Sequence, residues 1–370
     1  MKYLHEPAYK RRIVGEVQRF DERRTAFSKG VGEPGFPSLE RMVEKGLARA
    51  QRGDLKGRTL EWMALCRAGR TVDYTLRRAL YARDEAPLNK PINIEDPLRM
   101  TEKIKKAAKW FGADLVGICE VNPLWIYSIW GEDGVEFIDV AKVGEPLRIP
   151  ESFRYAIVMA HEMDYAMTLP TPAFAPSTDM GYSNMAITAV SVAAFIRFLG
   201  YRAIPTGNEM ALSIPMAIDA GLGEMGRMGI LMTREYGPRV RISKVFTEMP
   251  LVVDKPVAIG VDAFCTTCMR CAEDCPSGAI SHGEMREEPY NESNNRGVRK
   301  WMVDAEKCLG FWERNGDGCS VCIRVCPWNK PRTWFHRIVG HFATRFGFLT
   351  PLLVQADRWM GYGKQKLYEL

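Results

Sequence analysis

The chain has 370 residues, of which 46% are hydrophobic, with 51 basic and 45 acidic side chains and a net charge of +6. That is enough apolar material for a sizeable core and enough length for one large or two to three ordinary domains. The charge excess is mild and spread out, apart from Lys10-Arg11-Arg12 and the lysines between 103 and 109, so solvated helix faces are expected and a nucleic-acid partner is not.

The N-terminal stretch "MKYLHEPAYKRRIVGEVQRF" has no apolar core of a secretory signal, and Arg11-Arg12 is not followed by one. The longest strongly apolar stretch, Ala186 to Ile196, falls far short of the roughly 20 residues that span a bilayer. The expectation is a cytoplasmic chain, or the mature form of an exported, membrane-associated one. Residues 1–95 are mixed and charge-rich, with a helical patch from Leu39 to Arg49, and "APLNKPINIEDP" (86–97) reads as a linker. Asp96-Pro97 reads as a helix cap with a first-turn proline, the helix running to about Trp110 and ending at Gly112. "ADLVGICEV" (113–121) and "YAIVMAH" (155–161) read as buried strands. Residues 183–199 read as a long apolar helix closed by Gly200, with "YRAIPT" as a third strand. Strands alternating with helices imply an α/β layer. "AGLGEMGRMGIL" (220–231) is Gly-rich, but without strand–GxGxxG–helix order it is a weak phosphate-loop signal. From 331 the tail is aromatic and reads as helical.

Eight of the ten cysteines fall between 265 and 326. Cys66 and Cys119 lie in apolar surroundings and read as small core residues. The eight form two motifs. "FCTTCMRCAEDCPSGAI" carries Cys265, Cys268, Cys271 and Cys275 as C-x2-C-x2-C-x3-C-P, and "CSVCIRVCPWNK" carries Cys319, Cys322 and Cys326, with Cys308 eleven residues upstream. In two-cluster ferredoxins the fourth cysteine of one motif ligates the other cluster. The spacing therefore assigns one [4Fe–4S] cluster to Cys265, Cys268, Cys271 and Cys326, and a second to Cys275, Cys308, Cys319 and Cys322. Zinc is the weaker alternative, because its sites pair two C-x2-C knuckles and lack C-x3-C-P.

Two clusters move single electrons, which does not occupy 300 further residues. "FIRFLGYRAIPTGN" (195–208), "AGLGEMGRMG", "YGPRVRISKVFTEMPLVVDKP" and the cysteine motifs, through "CLGFWERNGDGCSVCIRVCPW" to "DRWMGYGKQK", resemble the corrinoid and iron–sulfur dependent reductive dehalogenases. The layout is most similar to that of the tetrachloroethene enzymes, and "RTAFS" and "ADLVGICEVNPLWIYS" look like segments of the same family. The resemblance implies an α+β or α/β fold: a nitroreductase-like cobalamin-binding core (96–260) with an inserted ferredoxin-like 2[4Fe–4S] domain (261–330). An N-terminal segment (1–95) would cover the active site, and a C-terminal helical segment (331–370) would pack on the core. It implies base-off cobalamin, and none of the five histidines fits the base-on pattern D-x-H-x-x-G. His161 and His282 read as structural. Implied partners are an organohalide substrate and a low-potential electron donor, with a small membrane anchor subunit and a homodimer left open.

By the same resemblance Tyr182, in "STDMGYSNM", matches the proton donor, Arg241 its cationic partner and Asn208 a third polar group of the active site. Thr178, Trp312 and Phe27 match the substrate pocket. Tyr127, Ser213, Gly223 and Met228 lie in segments that wrap the corrinoid. The chain is shorter than many relatives between Tyr127 and Ile149, which leaves chloroethenes, haloaromatics and fluorinated compounds all open as substrates. An epoxyqueuosine reductase, which would want a carboxylic acid donor, and a pure electron-transfer protein are the competing functions.

Overall fold

The computed structural model describes residues 2–53, 58–81, 86–131, 143–336, 338–339 and 349–367. A two-residue strand, β1 (Lys2–Tyr3), precedes four helices: α1 (Ala26–Gly32), α2 (Leu39–Arg52), α3 (Leu60–Gly69) and α4 (Thr71–Tyr81). Hydroxyls start three of them. Thr25, Ser38 and Thr59 accept from the amides of Ser28, Arg41 and Trp62, which the first turn would otherwise leave unpaired. α5 (Pro97–Trp110) begins and ends as its sequence predicts: Asp96 accepts from Arg99 N at 3.1 Å, and Gly112 leaves the helix at φ 110°. Met100, Ile104 and Ala108, four residues apart, form its buried stripe. The predicted linker is strapped across the core, Leu88 N donating to Arg197 O and Ile92 N to Leu199 O.

The next elements are β2 (Leu115–Glu120), β3 (Tyr155–Glu162), α6 (Tyr165–Thr168), α7 (Pro176–Phe198), β4 (Ala203–Thr206) and α8 (Ser213–Asp219). A small hairpin of β5 (Glu224–Met225) and β6 (Leu231–Met232) then leads to β7 (Val240–Thr247). The main sheet has the order β2-β3-β7-β4, and every neighbouring pair is antiparallel. This corrects the α/β expectation. Strand β7 returns from later in the chain and slots between β3 and β4, so the layer is α+β. The long helix also starts at Pro176, seven residues before the predicted 183, which places Tyr182 on it.

Alternation along the two central strands fixes what each face meets. Ile157, Met159 and Val245 point to one side, where Ala186, Ala189, Val192, Ala193 and Ile196 of α7 pack with α5. Ala156, Val158, Ala160, Ile242 and Phe246 point to the other, against α8 and the Trp125–Trp130 loop. Arg241 pairs in register with His161 and therefore faces α7. Gly181 makes room for it: a Cβ there would lie 2.9 Å from Arg241 Cγ.

The cysteine-rich region follows β8 (Val257–Ala258), which pairs with β1. It contains α9 (Val261–Thr267), α10 (Arg270–Glu273), α11 (Ala305–Asn315) and α12 (Val321–Val325), and α13 (Thr350–Trp359) closes the described chain. Buried Asp357 of α13 pairs with Arg270 and, at 2.5 Å, with Lys330. Arg270 lies within the first cysteine motif and Lys330 just after the last cysteine of the second, so α13 is pinned beside both. The N-terminal helices clasp α11 from the other side. Arg41 and Lys45 bond Glu313 at 3.0 and 2.7 Å, Lys29 bonds Glu306 at 2.9 Å, and Gly46 lets α2 press against the backbone of Gly316.

Candidate active site

One cavity of about 1630 Å³ lies between the main sheet, the N-terminal helices and the cysteine-rich region. It exceeds the roughly 300–1,000 Å³ of ordinary small-molecule pockets. The first turns of α7 bring Thr178 and Tyr182 to it, β7 brings Arg241, and the loop after β4 brings Asn208. Asn208 Nδ2 donates to the Tyr182 hydroxyl at 3.3 Å. The Arg241 guanidinium carbon lies 4.8 Å from the Tyr182 ring centroid, and its Nη2 donates to Thr178 Oγ1 at 3.2 Å. Across the cavity Trp312 of α11 meets Phe27 of α1 edge to face, with ring centroids 5.4 Å apart. The clasp of α1 and α2 on α11 is what brings these two rings together.

Tyr127, Ser213 and Met228 also line the cavity, whereas Gly223 does not. Gly223 stands behind the wall with no room for a Cβ against Met232 O, which lets the β5–β6 hairpin double back. That hairpin resolves the Gly-rich stretch, which forms no phosphate loop. It presents Met225, Met228 and Ile230 to the cavity and sends Arg227 the other way. Arg227 is 2% exposed, donates to Cys265 O at 2.8 Å and stacks on Trp301 at 4.7 Å.

The eight thiols fall into two sets. Burial, and after it the neighbouring thiols Cys326, Cys322, Cys265 and Cys268, push the Cys271 thiol up. Cys326 is likewise raised by burial and then by Cys268 and Cys265. Burial, then Cys319 and Cys275, raise Cys308 to about 12, and Cys322 is raised by burial and then by Cys308, Cys319 and Cys275. Cys326 thus stands among thiols of the first motif and Cys275 among those of the second, while Cys271 also has Cys322, of the other set, as a neighbour. Cys275, Cys308, Cys319 and Cys322 open onto the large cavity, while the other four stand off it. The donor set suits iron–sulfur clusters. Burial raises the Cys275 thiol, but Ser277 Oγ at 3.3 Å and the amides of Ala279, Ser277 and Ile280 more than offset it and leave the thiol below its ordinary value. Thiolate-directed N–H groups of this kind are what a cluster ligand needs. Among the described residues no three His, Cys, Asp or Glu side chains converge on a single metal ion.

Other predicted residues take structural places. Cys66 and Cys119 are buried core residues. His161 is buried, bonds Ser243 Oγ at 2.9 Å, and is held down at about 4 by that burial. Sequence reading missed Arg70, Asp179 and Asp317 on the cavity wall. Burial, and then Asp179, push Asp317 up to about 7.

It also missed Lys244, wholly buried on β7, whose Nζ donates to Gly207 O and to Ser213 Oγ at 2.7 Å. This amine secures the loop that carries Asn208. Burial lowers it from 10.5 to about 8, so between those values the folded chain binds fewer protons than the unfolded one. The cost is full below about pH 8 and is relieved as pH rises to 10.5. Stability should therefore rise over that window, by at most about 3 kcal/mol from this group. Lys244→Met should flatten the rise in denaturation midpoints, and an unchanged slope would contradict the assignment.

The chain is similar to several known proteins. The family described as a 4Fe-4S double cluster binding domain matches residues 264–329. Tetrachloroethene reductive dehalogenase of Sulfurospirillum multivorans is 38% identical over 298 residues, covering 75% of this chain and 60% of that protein. The enzyme of the same name from Desulfitobacterium hafniense is 40% identical, covering 70% and 53%. A solved reductive dehalogenase, described as suggesting a mechanism for B12-dependent dehalogenation, superposes with a TM-score of 0.78 at 26% identity, covering 99% of this chain and 50% of that one. The chain thus spans between half and three fifths of the length of these relatives. Among the described residues no helix is long and apolar enough to cross a membrane.

Proposed function

The chain belongs to the reductive dehalogenase family, and we propose that it replaces the halogen of an organohalide by hydrogen, with Tyr182 as the proton donor. The observation that carries this is the meeting of a tyrosine flanked by a guanidinium and an amide with one complete set of cysteine thiols in a single large cavity. The reaction consumes two electrons and one proton, forming a C–H bond and releasing halide. When bound, the two [4Fe–4S] clusters and cobalamin supply the electron chemistry, the clusters at potentials of about −400 mV or below.

The chain's own residues supply the proton and a dry site. Tyr182 O–H gives its proton to the carbon that loses halide. A phenol, ordinarily near pKa 10, is a weak acid unless its anion is stabilised. Arg241 does this by opposite charge, and Asn208 by donating a hydrogen bond to the oxygen. Thr178 holds Arg241 in place. Phe27 and Trp312 wall the substrate side and exclude water. Tyr127, Ser213 and Met228 would lie against the corrinoid, whose large apolar face suits the methionines of the hairpin.

In this reading residues 96–260 are a corrinoid-binding core of nitroreductase type, with 261–330 inserted as the ferredoxin-like domain. The described parts of residues 1–95 would cover the site, and the described parts of 331–370 would pack on the core. Cys265, Cys268, Cys271 and Cys326 would hold the cluster reached by an external low-potential donor, and Cys275, Cys308, Cys319 and Cys322 the cluster that faces the cavity. A small membrane anchor and a second copy of the chain belong to the same family layout. An epoxyqueuosine reductase or a pure electron carrier would leave the Tyr182–Arg241–Asn208 group without a role. The test is anaerobic loading with iron, sulfide and hydroxocobalamin, followed by halide release from chloroethenes, haloaromatics and fluorinated compounds with reduced viologen.

A further inference from the structure

The corner between α3 and α4 is bolted to the turn of α7 that carries Tyr182. Ser183 Oγ donates to Gly69 O at 2.7 Å and accepts from Asp73 N at 3.1 Å. Gly69 permits this approach, since a Cβ there would lie 3.3 Å from Met180 N. The next residue, Arg70, is thereby aimed along α7. Its guanidinium carbon lies 4.2 Å from the Tyr182 ring centroid, closer than the 4.8 Å of Arg241. Asp73 holds Arg70 Nε at 3.2 Å and Asp179 faces its Nη1 at 3.8 Å, so the side chain is tied to both helices.

We infer that Arg70 is a positioning residue for the proton donor: it seats the Tyr182 ring and, with Arg241, compensates the negative charge on that ring once its proton has left. The inference rests on Tyr182 being the donor. A guanidinium against an aromatic face is attracted to the neutral ring, and more strongly to the anion. Carboxyl groups and guanidiniums alternate around this corner. Asp73 comes from α4 and Asp179 from α7, and Asp317 faces Asp179 from beyond the end of α11. Against them stand Arg70, Arg67 and Arg241, with Arg58 acting on Asp317 and the Tyr74 ring 5.4 Å from Arg70. Removing Arg70 takes away the nearer of the two guanidiniums that face the Tyr182 ring, next to a phenol that must become an anion.

The experiment uses oxidised holo-protein with tyrosines labelled with ¹³C at Cζ, the Tyr182 signal being assigned by its loss in Tyr182→Phe. Arg70→Met should shift the ionisation of Tyr182 upward by about one pH unit relative to the parent. It should lower kcat about tenfold with little change in KM. Arg70→Lys, which keeps the charge without the planar fork, should restore most of the titration shift and part of the rate. If Arg70→Met fails to retain iron and corrinoid, Arg70→Gln, which keeps a hydrogen bond for Asp73, gives the same two readings. An unmoved Tyr182 titration with unchanged kcat overturns the role of Arg70 alone, provided Tyr182→Phe is inactive. Normal halide release by Tyr182→Phe overturns this inference together with the donor assignment beneath it.

Discussion

Tyr182→Phe is expected to lower halide release by about 100- to 10,000-fold, the range typical of a lost general acid, while iron and corrinoid content stay at parental levels. The substitution removes one oxygen from a half-buried ring that α7 holds in place. The ring's packing against Arg70 and Arg241 survives, because both contacts are to its face. What is lost is the proton, together with the acceptor for Asn208 Nδ2. Halide assay, iron count and corrinoid absorbance on one preparation check all three. Retained turnover would mean that the proton comes from elsewhere.

Cys326→Ala is expected to remove one cluster and leave the other, lowering iron from about eight to about four atoms per chain. The reason is spatial. Cys326 closes the second sequence motif, yet its thiol neighbours are Cys268 and Cys265 of the first. The surviving set, Cys275, Cys308, Cys319 and Cys322, opens onto the cavity, so corrinoid loading should persist. Halide release driven by an external donor should fall, since the set remote from the cavity is the one that would take electrons in. An iron count still near eight would show that the ligands are grouped otherwise.

How much of this was legible beforehand follows from where each signal resides. The double-cluster character of the cysteine region was readable because C-x2-C-x2-C spacing is local: three residues on a tight loop already define one side of a cluster. Helix α5 was readable because Asp96, Pro97 and Gly112 each act within a turn of the chain. Strand β7 was not, because Arg239, Arg241 and Lys244 interrupt the apolar pattern of "RVRISKVFT". Arg239 and Lys244 are buried and Arg241 half-buried only because distant groups receive them. Glu162 and Met163 O take Arg239, Thr178 takes Arg241, and Gly207 O and Ser213 take Lys244. With that strand unread, the sheet's antiparallel order was invisible. Tyr182, Arg241 and Asn208 were found through family segments, and periodicity alone gave none of them. Arg70 lies in "CRAGRTVDYT", where no motif marks it, and its meaning comes from the docking of the α3–α4 corner on α7.

The most direct measurement is halide release and corrinoid content on the same anaerobically loaded sample. The expected result is about eight iron atoms and one corrinoid per chain, with halide released from at least one organohalide class when reduced viologen is supplied. A sample that holds its iron but retains no corrinoid chromophore and releases no halide would contradict the assignment of the large cavity and of the chemistry built on it.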